Sequence, residues 1–410
     1  MADEDNKNSL IEIIRFAKKN YIYVEGTKAD SFFIIHEGNV KLFGAAQTLT
    51  KEEEKLLGPG DFIGHVSSMS DYTHIDSAYA FSDVSLIAVQ KRNFIKFINT
   101  NTSVARKMIL EFSRRMRFLN DALTSGTNKQ KSDVFDRQVL FTTAEYYEKN
   151  KQYALSYYAY KKYTEYYANG ELSEKAKAKI EQYKGFALPD VAQAVSSSRN
   201  YKKGNFIFAD GEKGDELFVI LSGQVKICKI FGTHEMIYAV LKKGDMFGEM
   251  AILENKPRSA NAIAYEDTSV MVIRKGDFER LSETNPSIID RLVKILSERI
   301  WFSYKQLANT ALDDYEARMY DAILINFEKN HENMGAHEMS KLKFGPYELA
   351  KMCGIPEENA RDVINKIAKE KKVQFTENEI ISTDNYELAK VVNVYRGVQR
   401  RAKARTVTPK

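Results

Sequence analysis

The chain has 410 residues, of which 43% are hydrophobic and 29% charged, with a formal net charge of +5. That length excludes a single small module and supports several separate cores, while no run of about 18 apolar residues is present to cross a membrane. The start, MADEDNKNSL, lacks the basic, apolar and small-residue order of a signal peptide, and Cys228 and Cys353 form neither a disulfide framework nor metal spacing, so a cytoplasmic protein without metal is expected.

In chain order, VEGTKADSFFIIHEGNVKLF (24–43) sets a skeleton of glycine, acid, aromatic, apolar pair, glycine and valine that returns in ADGEKGDELFVILSGQVKIC (209–228). This is an internal duplication. Both copies continue through a glycine turn, GPGDFIG (58–64) and KKGDMFGEM (242–250), into the β-branched stretches FSDVSLIAV and YEDTSVMVI. Many short strands with glycine turns predict two antiparallel barrels or jelly rolls, each followed by a helix. Between them, residues 142–184 are rich in helix formers and tyrosine and predict a helical hairpin broken at Asn169-Gly170. The segment resembles a single tetratricopeptide unit, and its tyrosines are expected to pack rather than to form a binding platform. After the second copy, Ile289, Leu292, Leu296, Ile300 and Leu307 make one apolar helix stripe. A helix of this kind is expected to pair with another chain in a homodimer.

The densest chemistry lies in FGEMAILENKPRSANA (247–262). Gly248 permits close backbone approach, and a helical turn starting at Glu249 presents the amides of Met250 and Ala251 to an anion. Arg258 offers a planar fork to two phosphate oxygens. Glu249 is suited to accept from a ribose hydroxyl, Ser259 to add a donor, and Ala260 to leave room. The alternative is that Glu249 and Arg258 pair with each other on a loop. This stretch resembles the phosphate-binding cassette of the cyclic-nucleotide-binding domain, and the resemblance extends over both barrels. It implies a 3′,5′-cyclic nucleotide effector, cyclic AMP or cyclic GMP, held by Gly248, Glu249, Met250, Ala251, Arg258, Ser259 and Ala260. It also implies a lid role for Trp301, the single tryptophan, for which packing is the alternative. Aligned on Asp83 and Asp267, the first copy has His65 opposite Glu249, His74 opposite Arg258 and Ile75 opposite Ser259. A neutral imidazole replaces the phosphate fork poorly, so the first barrel is expected to serve as a structural or contact domain. The sharper alternative is that His65 and His74 take another anion or sense pH.

From Asp314 a helix is expected to Glu328, followed by FGPYELAKMCGIPEENARDVINKIAKEKKVQFTENEIISTD (344–384). Leu349, Ala350, Cys353, Ile355, Ala360, Val363, Ile364 and Ile367 give two apolar helix faces around Gly354, and Val373, Phe375, Ile380 and Ile381 a hairpin. After a cyclic-nucleotide domain, this resembles the winged helix of catabolite-activator-type (Crp/Fnr) regulators. The resemblance implies DNA binding through Glu358, Asn359, Arg361, Asn365 and Lys366: acids and amides on base edges, cations on phosphates. Family members typically place arginines where this chain has Glu357 and Asp362, and acids there repel a polyanion. A scaffold retained for protein contact is therefore the alternative.

The fold class expected is multidomain α+β: a degenerate barrel with its helix (1–125), a helical hairpin (126–187), a cyclic-nucleotide-binding barrel with a dimerisation helix (188–310), a winged helix-turn-helix (311–392) and a basic tail (393–410). The tail carries Arg396, Arg400, Arg401, Lys403, Arg405 and Lys410 without an acid, for phosphate contact or as a solvated terminus. No glycine-rich hydrolytic loop, metal cluster or nucleophile-base pair is recognised, so an enzyme is not expected. The readings carried forward are a cyclic-nucleotide-responsive transcription regulator and a cyclic-nucleotide-sensing interaction protein that does not bind DNA.

Overall fold

Alternating polar and apolar residues, cut into short lengths by glycines, build the first barrel. The computed structural model describes residues 10–44, 56–125, 138–187 and 197–407. Its first strands are β1 (Glu12–Phe16), β2 (Tyr21–Tyr23), β3 (Ser31–Glu37), β4 (Val40–Phe43), β5 (Leu56–Leu57) and β6 (Phe62–Ile63), then helix α1 (His65–Ser70), β7 (Ser77–Ala80) and β8 (Val84–Gln90). Two antiparallel sheets, ordered β1-β8-β3-β6 and β2-β7-β4-β5, close over Ile35, Val40, Ile63, Ala78 and Leu86. Gly38 makes the β3–β4 turn: φ is +84°, and a Cβ there would meet Asp83 O at 2.1 Å. Helices α2 (Phe94–Thr100) and α3 (Thr102–Ser125) follow.

The tyrosine-rich segment is three helices rather than a hairpin: α4 (Val139–Lys149), α5 (Tyr153–Tyr166) and α6 (Ser173–Gln182). The first break has no sequence signal, because neither glycine nor proline marks it. Instead Lys151 takes a left-handed φ of +58°, and Gln152 N donates to Tyr147 O at 2.8 Å to close the helix end. The tyrosines pack: Tyr147, Tyr160 and Tyr163 are buried, and Glu148 gathers the hydroxyls of Tyr160 (2.8 Å) and Tyr183 (2.9 Å) with the Lys179 ammonium.

The second barrel repeats the first. It comprises β9 (Ser198–Tyr201), β10 (Phe206–Phe208), β11 (Glu216–Ser222), β12 (Val225–Phe231), β13 (His234–Leu241), β14 (Met246–Phe247), α7 (Glu249–Glu254), β15 (Asn261–Ala264) and β16 (Thr268–Arg274), then helices α8 (Lys275–Thr284) and α9 (Pro286–Thr310). One sheet runs β14-β11-β16-β9, and β15 lies between β10 and β12 in the other. Leu292, Leu296 and Ile300 of α9 are fully buried by the chain itself, so the stripe expected to meet a second chain is already covered.

The chain divides into two compact units, residues 1–233 with 240–304, and 234–239 with 305–410. The second unit holds α10 (Tyr315–Lys329), β17 (Ser340–Leu342), α11 (Pro346–Met352), α12 (Glu357–Lys369), β18 (Val373–Phe375), β19 (Ile380–Ser382) and α13 (Asn385–Val407). Asp314 caps α10, accepting from Glu316 N at 2.8 Å. The hairpin expected from Val373 to Ile381 forms with Phe375 opposite Ile380, and β17 adds a third strand in the order β17-β19-β18. The boundary drawn at 392/393 falls inside α13, whose Leu388 and Val392 are fully buried. The expected boundaries near 126 and 188, and the side chains of Arg400, Arg401, Lys403, Arg405 and Lys410, lie outside the described residues. No described helix is long and apolar enough to cross a membrane.

Candidate functional site

Gly248 ends β14 in the left-handed region, φ +81°, and turns the chain into α7 at Glu249. Arg258, 6% exposed, returns beneath that turn. Its Nη1 donates to Gly248 O at 2.7 Å and its Nη2 to Glu216 O at 2.8 Å, and the guanidinium lies over the Phe208 ring at 4.2 Å. Two glycines make this possible: a Cβ on Gly248 would stand 2.8 Å from Nη1, and one on Gly214 would stand 2.4 Å from Cζ. Burial pulls the Arg258 pKa down, opposed by Glu212, Glu216, Glu249 and Asp215. Its Nε is buried without a hydrogen-bond partner among the described residues.

Glu249 and Arg258 do not pair with each other. Glu249, 2% exposed, accepts from Arg299 Nη1 at 2.8 Å, and Arg299 also donates to Met246 O. Met250 and Ser259 are half-buried, with Ser259 Oγ 3.9 Å from the Met250 sulfur, while Ala251 and Ala260 are buried. Gly248, Glu249, Met250, Ala251, Arg258, Ser259 and Ala260 are thus gathered around one turn. Trp301 is not among them. Its indole N–H donates to Thr73 O at 3.2 Å and its ring stacks on Tyr72 at 4.2 Å, both in the first barrel, so the packing alternative describes its position. Sequence reading does not find Arg299, Gly214 or Phe208. A signal for Arg299 exists, because the first copy carries Arg115 at the matching place.

The matching turn of the first barrel is filled by its own side chains. His74 stacks on Tyr23 at 3.8 Å, where Arg258 lies over Phe208 in the second, and burial lowers its pKa to about 4. His65 stacks on Phe112 at 5.0 Å with Nε2 3.4 Å from Glu111 Oε1. Asp76 replaces Ala260; burial raises its pKa, opposed by Arg115.

In the second unit, Ala360, Val363, Ile364 and Ile367 bury one face of α12. Glu358, Arg361 and Asn365 share the exposed face with Asp362 and Lys369. Asn359 is half-buried on the flank. Lys366 is exposed and pairs with Glu316 Oε1 of α10 at 2.9 Å.

The model for the cyclic nucleotide-binding domain matches this chain twice, at residues 13–101 and 198–285. The Cyclic AMP receptor protein of Thermus thermophilus is 30% identical over 191 residues, 44% of this chain and 81% of that protein. A cAMP-dependent protein kinase regulatory subunit of Candida albicans is 23% identical over 282 residues, 68% of this chain and 46% of that protein. Among solved structures, a Crp/Fnr-family transcriptional regulator from Thermus thermophilus covers 48% of this chain and 98% of its own, with 23% identity and a TM-score of 0.39. The two barrels are cyclic-nucleotide-binding domains. The chain belongs to the Crp/Fnr type of cyclic-nucleotide-binding proteins.

Proposed function

We propose that the protein is a transcription regulator whose second barrel takes a cyclic nucleotide and whose second unit is a winged helix that meets DNA. The observation that carries the ligand site is the Arg258 guanidinium, buried between two glycines with Nε unpartnered among the described residues and both Nη groups on backbone carbonyls. In this reading Arg258 exchanges those carbonyls for phosphate oxygens, and Glu249 exchanges Arg299 for a ribose hydroxyl. The amides of Met250 and Ala251 and the hydroxyl of Ser259 complete the cradle. Cyclic AMP is favoured over cyclic GMP because the matched relatives carry cyclic AMP in their names. The ligand biases the protein only as far as it binds one state better. The domain limits proposed are a first barrel at 1–125, a linker at 126–187, the ligand-binding barrel at 188–310 and the winged helix from 311 through α13, whose helix carries the basic residues expected as a tail. A homodimer remains part of this proposal, paired through a surface other than the Leu292, Leu296 and Ile300 stripe of α9, which the chain itself buries.

Calorimetric titration of cyclic AMP and cyclic GMP into the intact protein and into Arg258→Leu tests the site. One saturable event per chain, weakened tenfold to a hundredfold or more in the variant, is expected from a charged hydrogen bond worth roughly 1.5–3 kcal/mol. No heat from either nucleotide overturns the reading. For DNA, selection from a random duplex library with ligand present enriches one sequence, and Arg361→Ala with Asn365→Ala weakens it. The second reading, a sensor with a protein partner, is favoured by the acids Glu358 and Asp362 on the exposed α12 face. It prevails if ligand binds and no sequence is enriched.

A further inference from the structure

Arg258 is fixed from two sides, and the second side is built by helices outside both barrels. Gly211 N donates to Arg258 O at 3.0 Å and Arg258 N donates to Glu212 O at 2.7 Å, so residues 209–212 form a strap that sets the arginine backbone. The strap is closed by its own polar groups: Glu212 Oε1 accepts from Ala209 N at 2.7 Å, and Asp210 N donates to Asn261 Oδ1 at 2.8 Å. Its outer surface meets the tyrosine-rich layer. The Tyr158 ring of α5 stacks on Phe206, the first residue of the β10 strand that runs into the strap, at 5.0 Å, and Tyr147 of α4 meets the same ring edge-on at 5.6 Å. Burial and the adjacent Glu212 carboxylate push the Tyr158 hydroxyl pKa up, and burial raises the Glu212 pKa, opposed by the Ala209 amide, the Lys162 charge and the Tyr158 hydroxyl, which puts the tyrosine hydroxyl at the strap's buried acid. At Gly211, φ is +89°, and a Cβ would stand 2.4 Å from Val139 Cγ1, so α4 leaves no slack behind the strap.

We propose that the α4–α5 layer is a positioning element of the ligand site: Tyr158 and Val139 hold the 209–212 strap in the register that aims the Arg258 guanidinium at the ligand's phosphate. This rests on the cyclic-nucleotide reading of the second barrel. Tyr158 and Val139 act through the strap and are positioning residues. A purely structural layer lowers stability when it is damaged and leaves the selection among bound ligands alone. A positioning layer changes how the two exocyclic phosphate oxygens are distinguished, because a displaced fork no longer favours one of them.

The test uses cyclic AMP and its two phosphorothioate diastereomers, each with sulfur in place of one exocyclic oxygen, titrated into the full chain by calorimetry with melting temperatures alongside. Tyr158→Phe, which keeps the ring stack and loses the hydroxyl, is expected to bind cyclic AMP about three- to tenfold more weakly, the worth of one lost hydrogen bond. Its ratio of affinities for the two diastereomers moves toward one. Glu212→Gln retains an acceptor for Ala209 N and for the tyrosine, and keeps more of the wild-type ratio than Tyr158→Phe does. Gly211→Ala, which drives the strap against Val139, behaves like Tyr158→Phe. Wild-type affinity and ratio in both Tyr158→Phe and Gly211→Ala overturn the positioning role alone, as does an equal loss for all three ligands. Absence of heat with the wild-type chain overturns the cyclic-nucleotide reading and this inference with it.

Discussion

At Arg258 a charge is held out of water, a state that is costly unless the charge is compensated. Two backbone carbonyls, two aromatic faces and neighbouring acids supply that compensation. The matching residue of the first barrel solves the problem differently, by being neutral. Burial holds the His74 pKa at about 4 against an ordinary 6.5. Between those values the unfolded chain binds a proton that the folded chain refuses, so the stability given by the neutral ring is complete above pH 6.5 and is lost as pH falls toward 4. Asp76, raised by burial, acts in the opposite sense, since the fold favours its protonated form. The difference between two proteins isolates the histidine. His74→Phe, which keeps a ring on Tyr23, should lose less melting temperature than wild type on acidification from pH 7 to 4. Parallel curves for the two proteins would rule the account out.

Among the elements, the cassette was readable because its residues cluster within sixteen positions of sequence, and glycine, acid and arginine each have a distinct physical role there. The α11-turn-α12 pair and the β18–β19 hairpin were readable from period and turn chemistry. Three features were not. Strand β17 is only Ser-Lys-Leu, too short to show a period. The break at Lys151 carries no glycine or proline, and the direction taken by Trp301 depends on a barrel more than 200 residues away in sequence. Helix α13 adds a practical consequence. Cutting the chain after Lys390 to remove its basic residues would also remove the fully buried Val392 and the Arg396 Nε bond to buried Asp321 at 2.7 Å. That loss should destabilise the second unit by roughly 3 kcal/mol or more. Replacing Arg400, Arg401, Lys403 and Arg405 with glutamine is the selective change. It should reduce the dependence of DNA affinity on salt if these side chains meet phosphates, with the melting temperature measured alongside to separate that effect from any loss of stability. An unchanged salt slope would assign them no such contact.

Within the first unit the barrels hold each other through their long helices. Ser113 and Arg117 of α3 bond Glu254, the last residue of the α7 turn in the second barrel, at 2.7 and 3.3 Å. In return α9 places Lys294 3.6 Å from Asp71 and seats Trp301 on Tyr72, both beyond α1 of the first barrel. Arg299 and Trp301 are two residues apart, about 200° around the helix, so one side of α9 grips the Glu249 cassette while the other grips the first barrel. In the proposed liganded state Glu249 leaves Arg299 for a ribose hydroxyl, and α9 is the rigid body that joins that event to the first barrel. The single tryptophan therefore reports on the exchange. Its emission should change saturably with cyclic AMP, with the midpoint found by calorimetry, and Arg258→Leu should abolish the change at the same ligand concentrations. If ligand saturates the wild-type protein by heat while Trp301 emission stays constant, α9 keeps its hold on Tyr72 and Thr73. The signal would then have to leave the second barrel by another route, of which the α7 contact to Ser113 and Arg117 is the next to test.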